Sequence, residues 1–78
     1  MNETYKKEMQ RIALRIRKVR EYKNYSQEYL AKKIGISQNA YSKIELGYSK
    51  ITLDRLFHIA KLLDVDTNEL LMTKRNAI

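Results

Sequence analysis

This chain predicts an all-α fold of five helices, and three observations lead there. Its 78 residues contain no proline and only two glycines, Gly35 and Gly47, so little interrupts a helical stretch. Apolar residues recur at three- and four-residue intervals, the period of a helix with one buried face. Between these stretches stand Ser26, Ser37, Thr52 and Asp66, residue types whose side chains cap a helix N-terminus.

The first helix is expected over roughly Tyr5 to Lys23, with Met9, Ile12, Ala13, Ile16 and Val19 forming its apolar stripe. From Ser26 to Gly47 the sequence SQEYLAKKIGISQNAYSKIELG reads as two short helices joined by a tight turn. Ser26 caps the first of them, with Tyr25 before it and Leu30 after it spaced as a hydrophobic staple. Gly35 supplies the left-handed conformation that ends this helix and lets the next leave at a steep angle. Ser37 caps that next helix. Ala31 is small enough to let the pair approach closely, and Leu30, Ile34, Ile36, Tyr41 and Ile44 can share a core. The fourth helix follows Thr52 and is expected to bury Leu53, Leu56, Phe57, Ala60 and Leu63, leaving Arg55 and Lys61 wet. Asp66 with Glu69 resembles a capping box opening a last short helix that holds Leu70, Leu71 and Met72. A polar tail occupies about residues 73–78, so the whole chain, 1–78, reads as one small domain.

The paired helices about residues 26–47 have the layout of a helix-turn-helix. One side of the second helix is apolar; the other carries Gln38, Asn39, Ser42 and Lys43, which can hydrogen-bond to base edges. Gln38 and Asn39 can each make bidentate contacts to adenine, and Lys43 can donate to guanine or to phosphate. A formal net charge of +7 suits a polyanionic partner. Lys6, Lys7, Arg11, Arg15, Arg17, Lys18, Arg20 and Lys23 load the first helix against Glu3, Glu8 and Glu21. Most of these long side chains are expected to solvate the helix and a few to meet phosphate.

Three elements in this order, SQEYLAKKIGIS, YSKIELG and LDRLFHIAKLLDVDTNELL, resemble the Cro/CI-type (XRE) helix-turn-helix family from about Ile12 to Leu71. Two positions depart from the family pattern. Tyr41 stands where Ile or Val is usual, and the loop GYSKIT lacks a frequent proline. The resemblance implies a lambda-repressor-like, five-helix DNA-binding domain of bacterial or phage type. It implies a transcriptional repressor that binds a short pseudo-palindromic operator as a homodimer, with the helix over about 37–46 in the major groove.

Carried onto this sequence, the resemblance implies base contacts from Gln38, Asn39, Lys43 and Ser42. Phosphate contacts are expected from Gln27, Ser37, Tyr48, Ser49, Lys50 and Arg20. Arg20 and Glu45 match a family pair that orients the reading helix. An exposed pair of this kind contributes only about 0 to 1 kcal/mol, so its value would lie in orientation. So short a chain cannot bury every apolar side chain. Ile59, Leu62, Leu70, Leu71, Met72 and Ile78 are therefore the candidates for a dimer surface.

The absence of cysteine excludes disulfides, thiol catalysis and zinc–thiolate sites. His58 is the only histidine, and no nucleophile–base set, glycine-rich phosphate loop or carboxylate cluster accompanies it. The expectation is a protein that is not an enzyme and takes no metal, cofactor or small-molecule ligand. No apolar run approaches the roughly 20 residues of a membrane span, and the N-terminus lacks a signal-peptide core, so a cytoplasmic location is expected. One alternative stays open: an antitoxin-like module that binds a protein partner as well as DNA. A second, association of the basic first helix with acidic membranes, competes with use of its apolar stripe in the core.

Overall fold

A computed structural model describes residues 2–72, with side chains from Tyr5 onward. The order is α1 (Asn2–Tyr22), α2 (Gln27–Ile34), α3 (Gln38–Glu45), α4 (Leu53–Leu63) and α5 (Thr67–Leu71). Each expected helix is present, with its ends moved by a few residues. Ile78 and the tail over 73–78 lie outside the described residues.

Starts and stops are written locally. Ser26 Oγ accepts the Tyr29 N–H at 3.0 Å, Ser37 Oγ the Ala40 N–H at 3.0 Å, and Thr52 Oγ1 the Arg55 N–H at 3.3 Å. Asp66 caps α5 through the Asn68 N–H at 3.0 Å, not through Glu69 as a capping box requires. α1 to α4 all close the same way, with one residue in the left-handed region: Asn24 (φ 65°), Gly35 (φ 90°), Gly47 (φ 79°) and Asp64 (φ 59°). The following N–H then reaches back five residues: Tyr25 to the Arg20 carbonyl (3.1 Å), Ile36 to Ala31, Tyr48 to Lys43 and Val65 to Ala60 (each 3.0 Å). These paired bonds satisfy carbonyls that a helix end leaves open. Asn and Asp tolerate this backbone better than other residues with a Cβ, which is why Asn24 and Asp64 serve where glycine is absent.

Ile16, Leu30, Ala31, Tyr41, Ile44, Leu56, Ile59, Ala60, Leu63 and Leu70 form one buried core, with Ile12, Val19, Tyr25, Ile34, Ile36, Ile51, Leu62 and Val65 packed around it. α4 is rotated relative to expectation. Leu53 and Phe57 are 69 % and 54 % exposed, whereas Ile59 is fully buried. α4 packs between α2 and α5, so its inner stripe is Leu56, Ile59, Ala60 and Leu63. Both sides of this helix are apolar, and the period alone did not choose between them.

That rotation corrects the expected dimer surface. Ile59 and Leu70 have no exposed area, so they belong to the protomer's own core. Leu62 and Met72 are half-buried and Leu71 is exposed, while Leu53 and Phe57 supply outward apolar area that the sequence reading had placed inside.

The arginines of α1 are mostly committed to the fold. Arg11 pairs with Glu8 at 2.7 Å and donates to the carbonyls of Met72 (2.6 Å) and Leu71 (3.2 Å). Arg15 Nε donates to the Glu69 carbonyl at 2.9 Å. Cations placed on the last carbonyls of α5 satisfy open acceptors and oppose the negative end of its dipole. Arg17 pairs with Glu21 at 3.2 Å, one turn along. Among the described residues no lysine forms an ion pair.

Candidate nucleic-acid interface

α2 and α3 form the helix-turn-helix, with Gly35 at the turn between them. Leu30 and Ala31 from α2 meet Tyr41 and Ile44 from α3 in the core, which fixes which side of α3 turns outward. That side carries Gln38, Asn39 and Lys43, all exposed, and Ser42, half-buried. Residues 38, 39, 42 and 43 share one face because three- and four-residue spacing brings side chains together on a helix.

Arg20 anchors the outward face from beneath. Its Nε donates to Glu45 Oε2 at 2.6 Å and its Nη2 to Glu45 Oε1 at 3.1 Å, while Nη1 donates to the Tyr25 carbonyl at 2.7 Å. The sequence alone leads to the expectation of an exposed pair here. The pair is buried instead, Arg20 being 8 % and Glu45 5 % exposed. A two-pronged guanidinium–carboxylate bond fixes angle as well as distance. It joins the last turn of α1 to the last residue of α3.

Gln27 completes this arrangement, donating from Nε2 to Glu45 Oε1 at 3.0 Å and tying the first turn of α2 to the end of α3. Burial works against the charged form of Glu45, but the bonds from Arg20, helped by the neighbouring Tyr41 and Gln27, hold its carboxyl below the usual carboxylate range. The Glu45 bond correspondingly raises the already high pKa of Arg20. Tyr41 departs from the aliphatic residue usual in the pattern, and its ring is fully buried. Its hydroxyl is buried without a hydrogen-bond partner, and burial, with the adjacent Glu45 charge, pushes the phenol far above its ordinary range.

The expected phosphate contacts ring α3. Ser37 is exposed at its N-terminus, where the hydroxyl oxygen caps the helix. Tyr48 and Lys50 are exposed and Ser49 half-buried in the loop that follows Gly47. Gln27 lies half-buried at the head of α2. Near it Tyr25 and Tyr29 stack with ring centroids 5.0 Å apart, and the Lys33 ammonium sits 5.6 Å from the Tyr29 centroid. A shallow hollow beside α3 is walled by Ile36, Ala40, Ile44, Ser49, Lys50 and Arg55. Sequence reasoning missed the Gln27–Glu45 bond. A glutamine eighteen residues from its partner leaves no local signature.

A helix-turn-helix family model matches residues 16–70, taking in the last third of α1, all of α2, α3 and α4, and nearly all of α5. The chain belongs to the XRE-type helix-turn-helix family. It is also similar to the HTH-type transcriptional regulator AnsR of Bacillus subtilis (strain 168), 37 % identical over 57 residues. That match covers 73 % of this chain and 49 % of the relative, so the chain spans about half the length of the curated protein it matches. No solved structure matches it. In this XRE-type chain the family match begins at Ile16, and the earlier turns of α1 lie outside it. No helix among the described residues is long and apolar enough to cross a membrane.

Proposed function

We propose that this chain is a sequence-specific DNA-binding regulator of transcription that reads double-stranded DNA with α3. The observation that carries the reading is the outward face of α3. Gln38, Asn39 and Lys43 stand exposed together on a helix whose opposite face is core and whose end is held by Arg20 and Glu45. Gln38 and Asn39 offer paired donor and acceptor groups for adenine, Lys43 offers a donor to guanine or phosphate, and Ser42 serves either. Ser37, Gln27, Tyr48, Ser49 and Lys50 surround that face and set the register on the backbone. The family membership and the similarity to a transcriptional regulator support the same reading.

One such module reads few base pairs. Two copies related by a two-fold axis place their α3 helices about 34 Å apart in successive major grooves, which matches an inverted repeat and doubles the contacts. The homodimer uses apolar area left outside the core, Leu53 and Phe57 on α4 and Leu71 on α5. Occupying an operator excludes other proteins from it, so the regulator acts as a repressor in the cytoplasm.

Selection of bound duplexes from a random pool tests this. An enriched inverted repeat is the expected outcome. Binding without any base preference would overturn the proposal and favour a protein partner for the same surface.

A further inference from the structure

Beyond α3, the structure holds a second basic concavity. The start of α1 leans across the loop after Gly47 and leaves a cleft of about 330 Å³. Tyr5, Lys6 and Gln10 line one side and Tyr48, Ser49 and Lys50 the other. Contact at the floor is close: a Cβ on Gly47 would lie 3.0 Å from Gln10 Cγ and 3.4 Å from its Cα, so the glycine permits α1 to run past the end of α3.

The chemistry of the lining is that of a phosphate site. Among the described residues it has two ammonium groups, three hydroxyls and an amide, and no acidic side chain. Glu8, on the same helix, is turned to Arg11 at 2.7 Å. Lys6 and Lys50 are exposed and form no ion pair among the described residues, in contrast to Arg11, Arg17 and Arg20 of α1. The cleft adjoins the hollow beside α3, because Ser49 and Lys50 wall both. Its α1 side lies before Ile16, where the family match begins.

We propose that this cleft is a clamp for the phosphodiester backbone of duplex DNA, in which Lys6, together with Lys50, neutralises phosphates flanking the base pairs that α3 reads. The inference rests on the reading of the chain as a sequence-specific DNA binder. A strand passing the 47–50 loop on its way from the α3 groove meets Lys50 first. Continuing along the loop brings the next phosphates between Lys50 and Lys6. Tyr5, Tyr48 and Ser49 can donate hydroxyl hydrogens to the same oxygens. Contacts of this kind add affinity and salt dependence without adding base preference.

The test uses the full chain and its selected duplex in two lengths, one ending at the base pairs that carry the preference and one extended by half a helical turn at each end. Affinities are measured across a salt series for the wild type, Lys6→Ala and Lys7→Ala, the last an exposed neighbour outside the cleft. Circular dichroism checks that each variant is folded. The expected result is that the wild type prefers the longer duplex and that Lys6→Ala abolishes this gain while keeping the base preference. Lys6→Ala also lowers the slope of log affinity against log salt by about 0.9 for each protomer's lost phosphate contact. Lys7→Ala keeps the gain. If Lys6→Ala matches the wild type on both lengths, with base preference intact, the clamp is wrong and the reading by α3 stands. Equal losses in both variants mean diffuse charge and also overturn the clamp. No base preference in the wild type overturns the underlying reading and the clamp with it.

Discussion

The Arg20 guanidinium and the Glu45 carboxylate meet in a bidentate pair, Nε to Oε2 at 2.6 Å and Nη2 to Oε1 at 3.1 Å, that couples α1 to α3 across the buried side of the reading helix. Removing one partner strands a charge in the interior. Glu45→Ala is expected to destabilise the fold by about 3 kcal/mol, and the double variant Arg20→Met with Glu45→Leu to recover most of that loss. Denaturant midpoints of both variants check this. A Glu45→Ala midpoint equal to that of the wild type would show that the pair carries no weight.

Acid should expose the same pair. Glu45 is held below its ordinary value of 4.5, so its contribution is complete above that pH and is lost as the pH falls through the depressed folded value. Stability is therefore expected to drop below about pH 4.5, and Glu45→Gln to flatten the part of that drop due to this site. Urea unfolding across an acid pH series reads the difference between the two proteins. Parallel curves would remove Glu45 from the account.

Tyr41 presents the opposite case, a buried hydroxyl with no partner. An unpaired hydroxyl costs desolvation without return, so Tyr41→Phe is expected to stabilise the chain by about 1 kcal/mol and leave the ring packing unchanged. Thermal unfolding of the variant tests it; a lower melting temperature would mean that the hydroxyl bonds to Glu45 in solution.

What could be read from the sequence was mostly local. Ser26, Ser37 and Thr52 each cap the helix expected of them, and Gly35 turns α2 into α3, because these signals act within a few residues. Asn24 and Asp64 end helices just as Gly35 does, yet their side chains do not announce it. Long-range choices were less legible. Leu53 and Phe57 sit beside Leu56 and Ile59 in one apolar run, and only the positions of α2 and α5 decide which pair goes inside. Arg11 and Arg15 bond backbone carbonyls of α5, partners that every residue possesses and no sequence marks. The exposed residues of α3 followed from the apolar residues opposite them, since fixing Tyr41 and Ile44 in the core turns Gln38, Asn39 and Lys43 out.

The outward residues of α4 carry the expectation of a dimer. Phe57→Asp replaces a side chain that is 54 % exposed, so the fold should survive with little change in melting temperature. Sedimentation is expected to show a dimer for the wild type and a monomer for the variant, with cooperative binding to an inverted repeat lost. A dimer that persists in the variant would place the contact elsewhere.

Base reading by α3 is tested most directly by titrating the selected duplex, and a copy with its preferred base pairs exchanged, into the wild type and into Gln38→Ala/Asn39→Ala. The wild type should prefer the selected duplex by at least about a hundredfold, since each good bidentate contact discriminates by about 1–3 kcal/mol. The double variant should bind both duplexes alike, with its salt dependence unchanged. A double variant that still discriminates as the wild type does would contradict the assignment of α3 as the reading helix.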